Sequence, residues 1–167
     1  MIRYTTSWPS TATSTVVMID AMRVHQYVYF SLRSDHMPAH EMAARLGLGA
    51  DEVTVKASKR ESPPVPRVHA WRVVCRDSGL TLEEQIDRVI DRLEPFADEI
   101  AALAREIDAS EGEGVTGTLQ VVRHLSDDGD AEESPQHQSL GWHLDRRILN
   151  FLHHTGAELD VDEYGDD

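Results

Sequence analysis

The sequence has little cysteine, few basic residues and no long apolar run. Cys75 is the single cysteine, which excludes an internal disulfide and a Cys-rich zinc site and favours a reducing compartment. The apolar run at 16–19 is short and ends at Asp20, and Arg3 is the one basic residue before it. Neither a signal peptide nor a membrane span is therefore expected, and we predict a cytoplasmic protein.

Acidic residues dominate the charge of the chain. Asp and Glu number 30 against 16 Lys and Arg, a formal net charge of -14. Such a charge repels phosphate backbones and anionic lipids, so neither nucleic acid nor membrane is expected as a partner. A basic protein is the partner that this charge permits, although excess acid also serves solubility alone.

Motifs of known chemistry are missing from the sequence. It has no Gly-x-Ser-x-Gly elbow, phosphate-binding loop or dinucleotide fingerprint. His36 and His40 are separated by Pro38 and lack the Glu that follows the first His of zinc enzymes. Counting from Asp128, Glu133 stands where a calcium loop needs Gly. We therefore predict no enzyme, no catalytic residue, no metal site and no cofactor.

A single domain fits the 167 residues, of which 40% are hydrophobic. Residues 1–20 are rich in Ser and Thr and are predicted to be a poorly ordered N-terminal extension, followed by one α+β domain over 22–167. Alternating or helical periodicity then predicts strands at 24–33, 53–57, 68–76, 115–124 and 159–164, and helices at 39–46, 82–107 and 145–155.

The longest predicted helix carries several local signals. Thr81 and Glu84 form a capping box, and Pro95 should kink or divide the helix at Glu94. Its acidic residues mix with Arg88 and are expected to form a solvated face. Those acids are Glu84, Asp87, Asp91 and Glu94.

The element order β-α-β-β-α-β, followed by α-β, predicts a ferredoxin-like split β-α-β arrangement with an added C-terminal α-β. We expect an antiparallel sheet with helices mainly on one face and the other face open. Trp71, Val73 and Cys75 alternate together, so Cys75 is expected in the core.

Several short motifs also carry a family resemblance. They are Ser31-Leu32-Arg33, Pro38, Leu46-Gly47-Leu48, Trp71, Leu82-Glu83-Glu84, Arg92-Leu93-Glu94-Pro95, Gly156, Leu159-Asp160-Val161-Asp162 and Tyr164. With these motifs, residues from about 24 to 164 resemble the bacterial family named domain of unknown function 4279. The chain departs from that family at 58–61, where Ser-Lys-Arg-Glu replaces the usual Trp and Gly.

The resemblance implies a bacterial, non-enzymatic domain, and small acidic families of this kind include immunity proteins that bind and block a toxin. The first hypothesis is accordingly a binding module, an immunity or regulatory protein that occludes a protein partner with its acidic surface or open sheet face. Its candidate residues are Asp127, Asp128, Asp130, Asp160 and Asp162.

The alternative hypothesis is a small-molecule or anion sensor. Basic residues gather around the proline loop at 62–66, and strand tyrosines share the open side of the sheet. The candidate residues are Tyr27, Tyr29, Arg33, Lys56, Arg60 and Arg72. The same cations would instead only balance nearby acids such as Glu52 and Glu61, or Asp160 and Asp162 across the sheet.

Overall fold

The computed structural model describes residues 23–58, 65–112, 116–126 and 141–165. Within them the chain forms β1 (Arg23–Ser34), α1 (Ala39–Leu46), β2 (Glu52–Thr54), β3 (His69–Cys75), α2 (Leu82–Leu93), a 3₁₀ turn (Glu94–Phe96), α3 (Ala97–Glu111), β4 (Gly117–Ser126), α4 (Arg146–Thr155) and β5 (Glu158–Gly165). The predicted α+β class is confirmed, while the predicted extension at 1–20 lies outside the described residues. None of the helices described is both long and apolar enough to cross a membrane.

The five strands form one sheet in the order β2-β3-β1-β4-β5. Neighbours are antiparallel from β2 to β4, but β5 runs parallel to β4. The prediction of an antiparallel sheet is therefore wrong, and the sheet is mixed. The reason is α4, which carries the chain back along the sheet so that β5 starts at the same end as β4.

Alternation along the strands divides the sheet into a helical face and an outer face. Val28, Phe30 and Leu32 of β1 are completely buried against the helices, as are Trp71 and Val73 of β3. Apolar side chains at every second position form this core because successive strand residues point to opposite faces. Cys75 is buried in the same cluster, as the sequence predicted.

One ring contact and one hydrogen bond fix two of the largest core side chains, Phe30 and Trp71. The Phe30 and Phe151 rings meet edge to face with centroids 5.8 Å apart, which joins β1 to α4. The indole of Trp71 donates a hydrogen bond to the carbonyl of Leu48 at 3.2 Å. That bond satisfies the one polar atom of a completely buried side chain.

The predicted division of the long helix is confirmed. The capping box is present, since Thr81 Oγ1 accepts from the Glu84 N–H and Glu84 accepts from the Thr81 N–H. α2 ends at Leu93, and Pro95 lies in the 3₁₀ turn before α3. Proline lacks the N–H that a continuous helix would need at this point.

The second strand is shorter than predicted. β2 ends at Thr54, and Val53 and Val55 have 47% and 52% of their surface exposed. Ala57 adopts a φ of 60°, in the left-handed region, and its N–H donates to the carbonyl of Pro66 at 2.9 Å. This turn ends the pairing with β3 before the apolar alternation of the sequence runs out.

The acidic side of α2 is not only a solvated face. Arg147 of α4 donates hydrogen bonds to Asp91 at 2.6 Å, Asp87 at 2.7 Å and Glu94 at 3.1 Å. One guanidinium thus ties two carboxylates of α2 and one of the following 3₁₀ turn to α4. The side chains of these acids stay 49–65% exposed, which agrees with the predicted solvated face. Their pairing with α4 was not predicted, because periodicity within α2 does not show which helix lies beside it.

Candidate binding face

The outer face is the surface of the sheet turned away from the helical core. The strand register places Tyr29 of β1 beside Val74 of β3 on one side and Gln120 of β4 on the other, and Gln120 beside Asp160 of β5. Every second residue of each strand, counted from these, lies on the same face. They include Tyr27, Tyr29, Arg33, Arg72, Gln120, Val122, Asp160 and Asp162.

One half of the outer face is aromatic and cationic. The rings of Tyr27 and Tyr29 stack with centroids 6.3 Å apart and an interplanar angle of 19°. The guanidinium carbon of Arg76 lies 4.2 Å from the centre of the Tyr27 ring, and that of Arg72 lies 5.0 Å from the centre of Tyr29. Each arginine therefore covers one tyrosine in cation–π geometry.

Both arginines share one acidic partner. Glu52 of β2 accepts a hydrogen bond from Arg76 at 2.8 Å and forms a 3.7 Å ion pair with Arg72. The hydrogen bond to Glu52 raises the pKa of Arg76 and holds it protonated. The charge of this half of the face is thus partly balanced within the fold, as the alternative reading of the basic residues predicted.

The environment of Tyr29 differs from that of an exposed tyrosine. Burial raises the pKa of the Tyr29 hydroxyl, and the nearby Arg72 and Arg33 oppose part of that rise. The phenol therefore stays neutral at physiological pH. It offers a donor, an acceptor and a ring edge to a ligand, and no negative charge.

The other half of the outer face is acidic. Asp160 and Asp162 of β5 lie beside Gln120 and Val122 of β4. Gln120 donates a hydrogen bond to Asp162 at 3.1 Å, which reaches diagonally from one residue pair to the next. At the far end of the face the His124 and Tyr164 rings stack 4.9 Å apart.

Two polar atoms in the aromatic and cationic half stand out. Ser31 Oγ and Arg72 Nε are both buried and have no hydrogen-bond partner among the residues that the structure describes. Ser31 and Arg72 are direct neighbours in the pairing of β1 with β3. Adjacent orphan donors on a sheet face are a place where a ligand or an ordered water would recover lost hydrogen bonds.

The structure brings together about half of the residues predicted from sequence. Tyr27, Tyr29, Arg33 and Arg72 share the outer face with Asp160 and Asp162. Arg60, Asp127, Asp128 and Asp130 lie outside the described residues.

Lys56 belongs to a different contact. Its amino group donates to the Asp35 carboxylate at 2.8 Å and to the Asp35 carbonyl at 3.1 Å, and its N–H donates to His69. The lysine thus links the turn after β2 to the loop after β1.

Sequence reasoning missed two members of this surface, Arg76 and Gln120. Arg76 follows β3 directly and continues the alternation of Arg72 and Val74, and Gln120 alternates with core residues of β4. Period-two counting beyond the strand end could have found both.

Metal binding has no support on this face. Across the described ranges, no group of three or more His, Cys, Asp and Glu side chains is arranged to hold a metal ion.

The described residues define an α+β domain whose distinguishing feature is a polar, aromatic sheet face. Over residues 23–166 the chain matches the family described as Domain of unknown function (DUF4279). The chain belongs to this family, which confirms the resemblance found in the sequence. No curated protein and no solved structure matches it.

Proposed function

We propose that this protein is a cytoplasmic, non-enzymatic binding module, an immunity or regulatory protein that acts by occluding a basic protein partner. The observation that carries the proposal is the row of carboxylates along β5, where Glu158, Asp160 and Asp162 point to the outer face at the edge of the sheet. Clustered carboxylates speed the encounter with a basic surface and orient it.

Charge balance favours the acidic half of the face as the contact. Asp160 and Asp162 form no salt bridge within the part of the chain that the structure describes, whereas Arg72 and Arg76 share Glu52. A basic partner would meet carboxylates that have no cation to release. An acidic partner would have to compete with Glu52 for the arginines.

The test compares three forms of the full chain in affinity pulldowns from the native cell lysate, read by mass spectrometry at low and high salt. The variant D160K/D162K reverses two charges of the acidic half. The control E41K/E99K makes the same change of net charge at exposed positions of α1 and α3.

Wild type and control should retain the same basic protein at low salt and release it at high salt, while D160K/D162K should not retain it. Screening by salt weakens contacts between exposed charges, which is why release is expected. A partner retained equally by all three forms, or one insensitive to salt, would contradict the proposal.

A second candidate, a small-molecule or anion sensor, rests on the orphan Ser31 Oγ and Arg72 Nε. It would use Arg33, Lys56, Arg60 and Arg72 with the sheet tyrosines. Inorganic phosphate and a panel of small carboxylates should then raise the Tm of the wild type, and R60E/R72E should lose the shift. R88E is the control, because Arg88 pairs with Asp77 on the helical side. An absence of any shift in the wild type would count against this candidate.

We also propose that β1 to β4 with α1 to α3 form a ferredoxin-like unit to which α4 and β5 are added. Support comes from the neighbour order β2-β3-β1-β4 and from the two β-α-β connections through α1 and through α2 with α3. The added β5 extends this unit at one edge and supplies its acidic residues.

A further inference from the structure

β5 forms the longer of the two edges of the sheet. Among the residues that the structure describes, β5 stands last in the strand order and pairs with β4 alone. It spans 8 residues, whereas β2 at the opposite edge spans 3. Every residue of β5 is exposed except Asp162, which is half-buried. An edge of this kind presents backbone N–H and C=O groups that can pair with another strand.

Side chains along β5 alternate in a defined way. Glu158, Asp160 and Asp162 point to the outer face, and Leu159 and Val161 point to the helical face, each with 37% of its surface exposed. Over residues 158–162, a strand added beside β5 would therefore contact acids on one face and apolar side chains on the other; beyond them Glu163 lies on the helical face and Tyr164 on the outer face. Directly opposed side chains in neighbouring strands interact, and like charges there are unfavourable.

This pattern disfavours a second copy of the chain as the occupant. Suppose that two β5 strands paired antiparallel about a two-fold axis perpendicular to the sheet. Outer-face residues of one copy would then lie opposite outer-face residues of the other. Pairing centred on Val161 would set Asp160 of one copy against Asp162 of the other, twice. Carboxylates would meet carboxylates in every such register that pairs at least five residues of β5.

We propose that the outer edge of β5 binds an extended segment of a protein partner in which Lys or Arg alternates with apolar residues. The inference rests on the proposed function and specifies how the partner is held. Main-chain hydrogen bonds to β5 supply affinity, and the alternation supplies register and selectivity. The added strand places its cations beside Asp160 and Asp162 and its apolar residues beside Leu159 and Val161.

The probe is a short peptide of alternating Lys and Val with blocked ends, titrated into the ¹⁵N-labelled full chain. Chemical-shift changes and slower amide exchange should centre on residues 158–165. The same peptide is also made in two N-methylated forms, one methylated at every Lys and one at every Val. Alternate residues of a strand direct their N–H groups to opposite edges, so one form should lose binding and the other keep it.

Two controls separate pairing from general charge attraction. A peptide of the same composition with its lysines clustered should bind more weakly, because it cannot match the alternation. The variant D160K/D162K should bind the alternating Lys and Val peptide about 2- to 30-fold more weakly than the wild type does. This is the range expected for the loss of two cross-strand charge pairs. The variant should instead gain affinity for an alternating Glu and Val peptide.

The inference fails if both N-methylated peptides bind like the parent, or if the shifts fall on Tyr27 and Tyr29 and leave β5 unchanged. It also fails if the outer-edge amides of β5 are already protected in the free protein. If D160K/D162K still abolishes capture of the natural partner in those cases, the proposed function stands and only strand addition is refuted. If capture is also unaffected, both are refuted.

Discussion

The guanidinium carbon of Arg72 lies 5.0 Å from the centre of the Tyr29 ring, across the pairing of β3 with β1. Burial raises the pKa of Tyr29, and the positive charge of Arg72 is the strongest of the influences that lower it. The two residues therefore form an electrostatic couple in which the cation favours the ionised phenol.

Removal of that cation should raise the pKa of Tyr29 further. In R72M the side chain keeps an unbranched apolar stem but loses its charge, so the tyrosinate is less stabilised. Tyrosine ¹³Cζ shifts followed against pH, with Y29F to assign the signal, measure the change. R88M should leave the pKa of Tyr29 unchanged, because Arg88 lies on α2 beside Asp77. An equal or lower pKa in R72M would contradict the couple.

The carboxylate of Asp51 joins three elements of the fold. Arg92 of α2 donates to it at 2.6 and 2.9 Å, and the N–H of Val74 in β3 donates at 2.7 Å. The hydrogen bonds from Arg92 are the main cause that holds the pKa of Asp51 below its usual 3.8. D51N should lower the free energy of unfolding by about 1–3 kcal/mol at neutral pH.

The loss of unfolding free energy caused by D51N should become smaller as the pH falls. A carboxyl whose pKa is lower in the folded state stabilises the fold above its unfolded pKa, and that stability disappears as pH falls through the folded pKa. Urea unfolding should therefore show the full difference between wild type and D51N at neutral pH and a shrinking one below about pH 4. A difference that is constant with pH would rule out the carboxylate as its source.

Glu111 at the end of α3 holds the loop that follows β1. Its carboxylate accepts from the N–H of Asp35 at 2.7 Å, from the N–H of His36 at 3.1 Å, and from the Ser34 hydroxyl. Burial raises the pKa of Glu111, but these hydrogen bonds outweigh it and the pKa lies below the usual value. E111Q should cost about 1–3 kcal/mol in urea unfolding, because the amide has one acceptor oxygen where the carboxylate has two.

Amide exchange at Asp35 and His36 should become faster in E111Q. E106Q serves as the matched control, because Glu106 pairs with Arg45 on an exposed surface and its substitution should have a smaller effect on stability. Unchanged exchange at Asp35 and His36 would show that the loop is held by other contacts.

Arg147 is the common partner of Asp87, Asp91 and Glu94, and two-thirds of its side chain is buried. R147M should destabilise the protein by about 1–3 kcal/mol, because it leaves three neighbouring carboxylates of α2 and the 3₁₀ turn without their common cation. Salt should narrow the difference from wild type by screening their repulsion. R45M, which leaves one exposed carboxylate, should have a smaller effect. Equal effects of the two substitutions would contradict a network role for Arg147.

Features that depend on nearby residues could be predicted from the sequence. The capping box at Thr81 and the break at Pro95 were both predicted and are present, and Gly47 and Gly156 end their helices in the left-handed conformation that glycine favours. Each involves groups within a few positions along the chain, so its physics is contained in a short stretch of sequence.

Alternation likewise assigned side chains to faces. It placed Trp71 and Val73 in the core and Tyr27 and Tyr29 on the other side of the sheet. It could not assign neighbours, because period two defines the direction of a side chain and leaves open which strand lies beside it.

Contacts between distant parts of the chain were decided by the tertiary structure alone. Three such contacts join residues far apart in sequence. They are the parallel pairing of β5 with β4, the sharing of Glu52 by Arg72 and Arg76, and the contact of Arg147 with α2. The sequence by itself determined the elements, the buried face of each and the excess of acid. Which elements meet follows from burying all the apolar faces at once, and that packing is what brings the acidic row of β5 to the edge of the sheet.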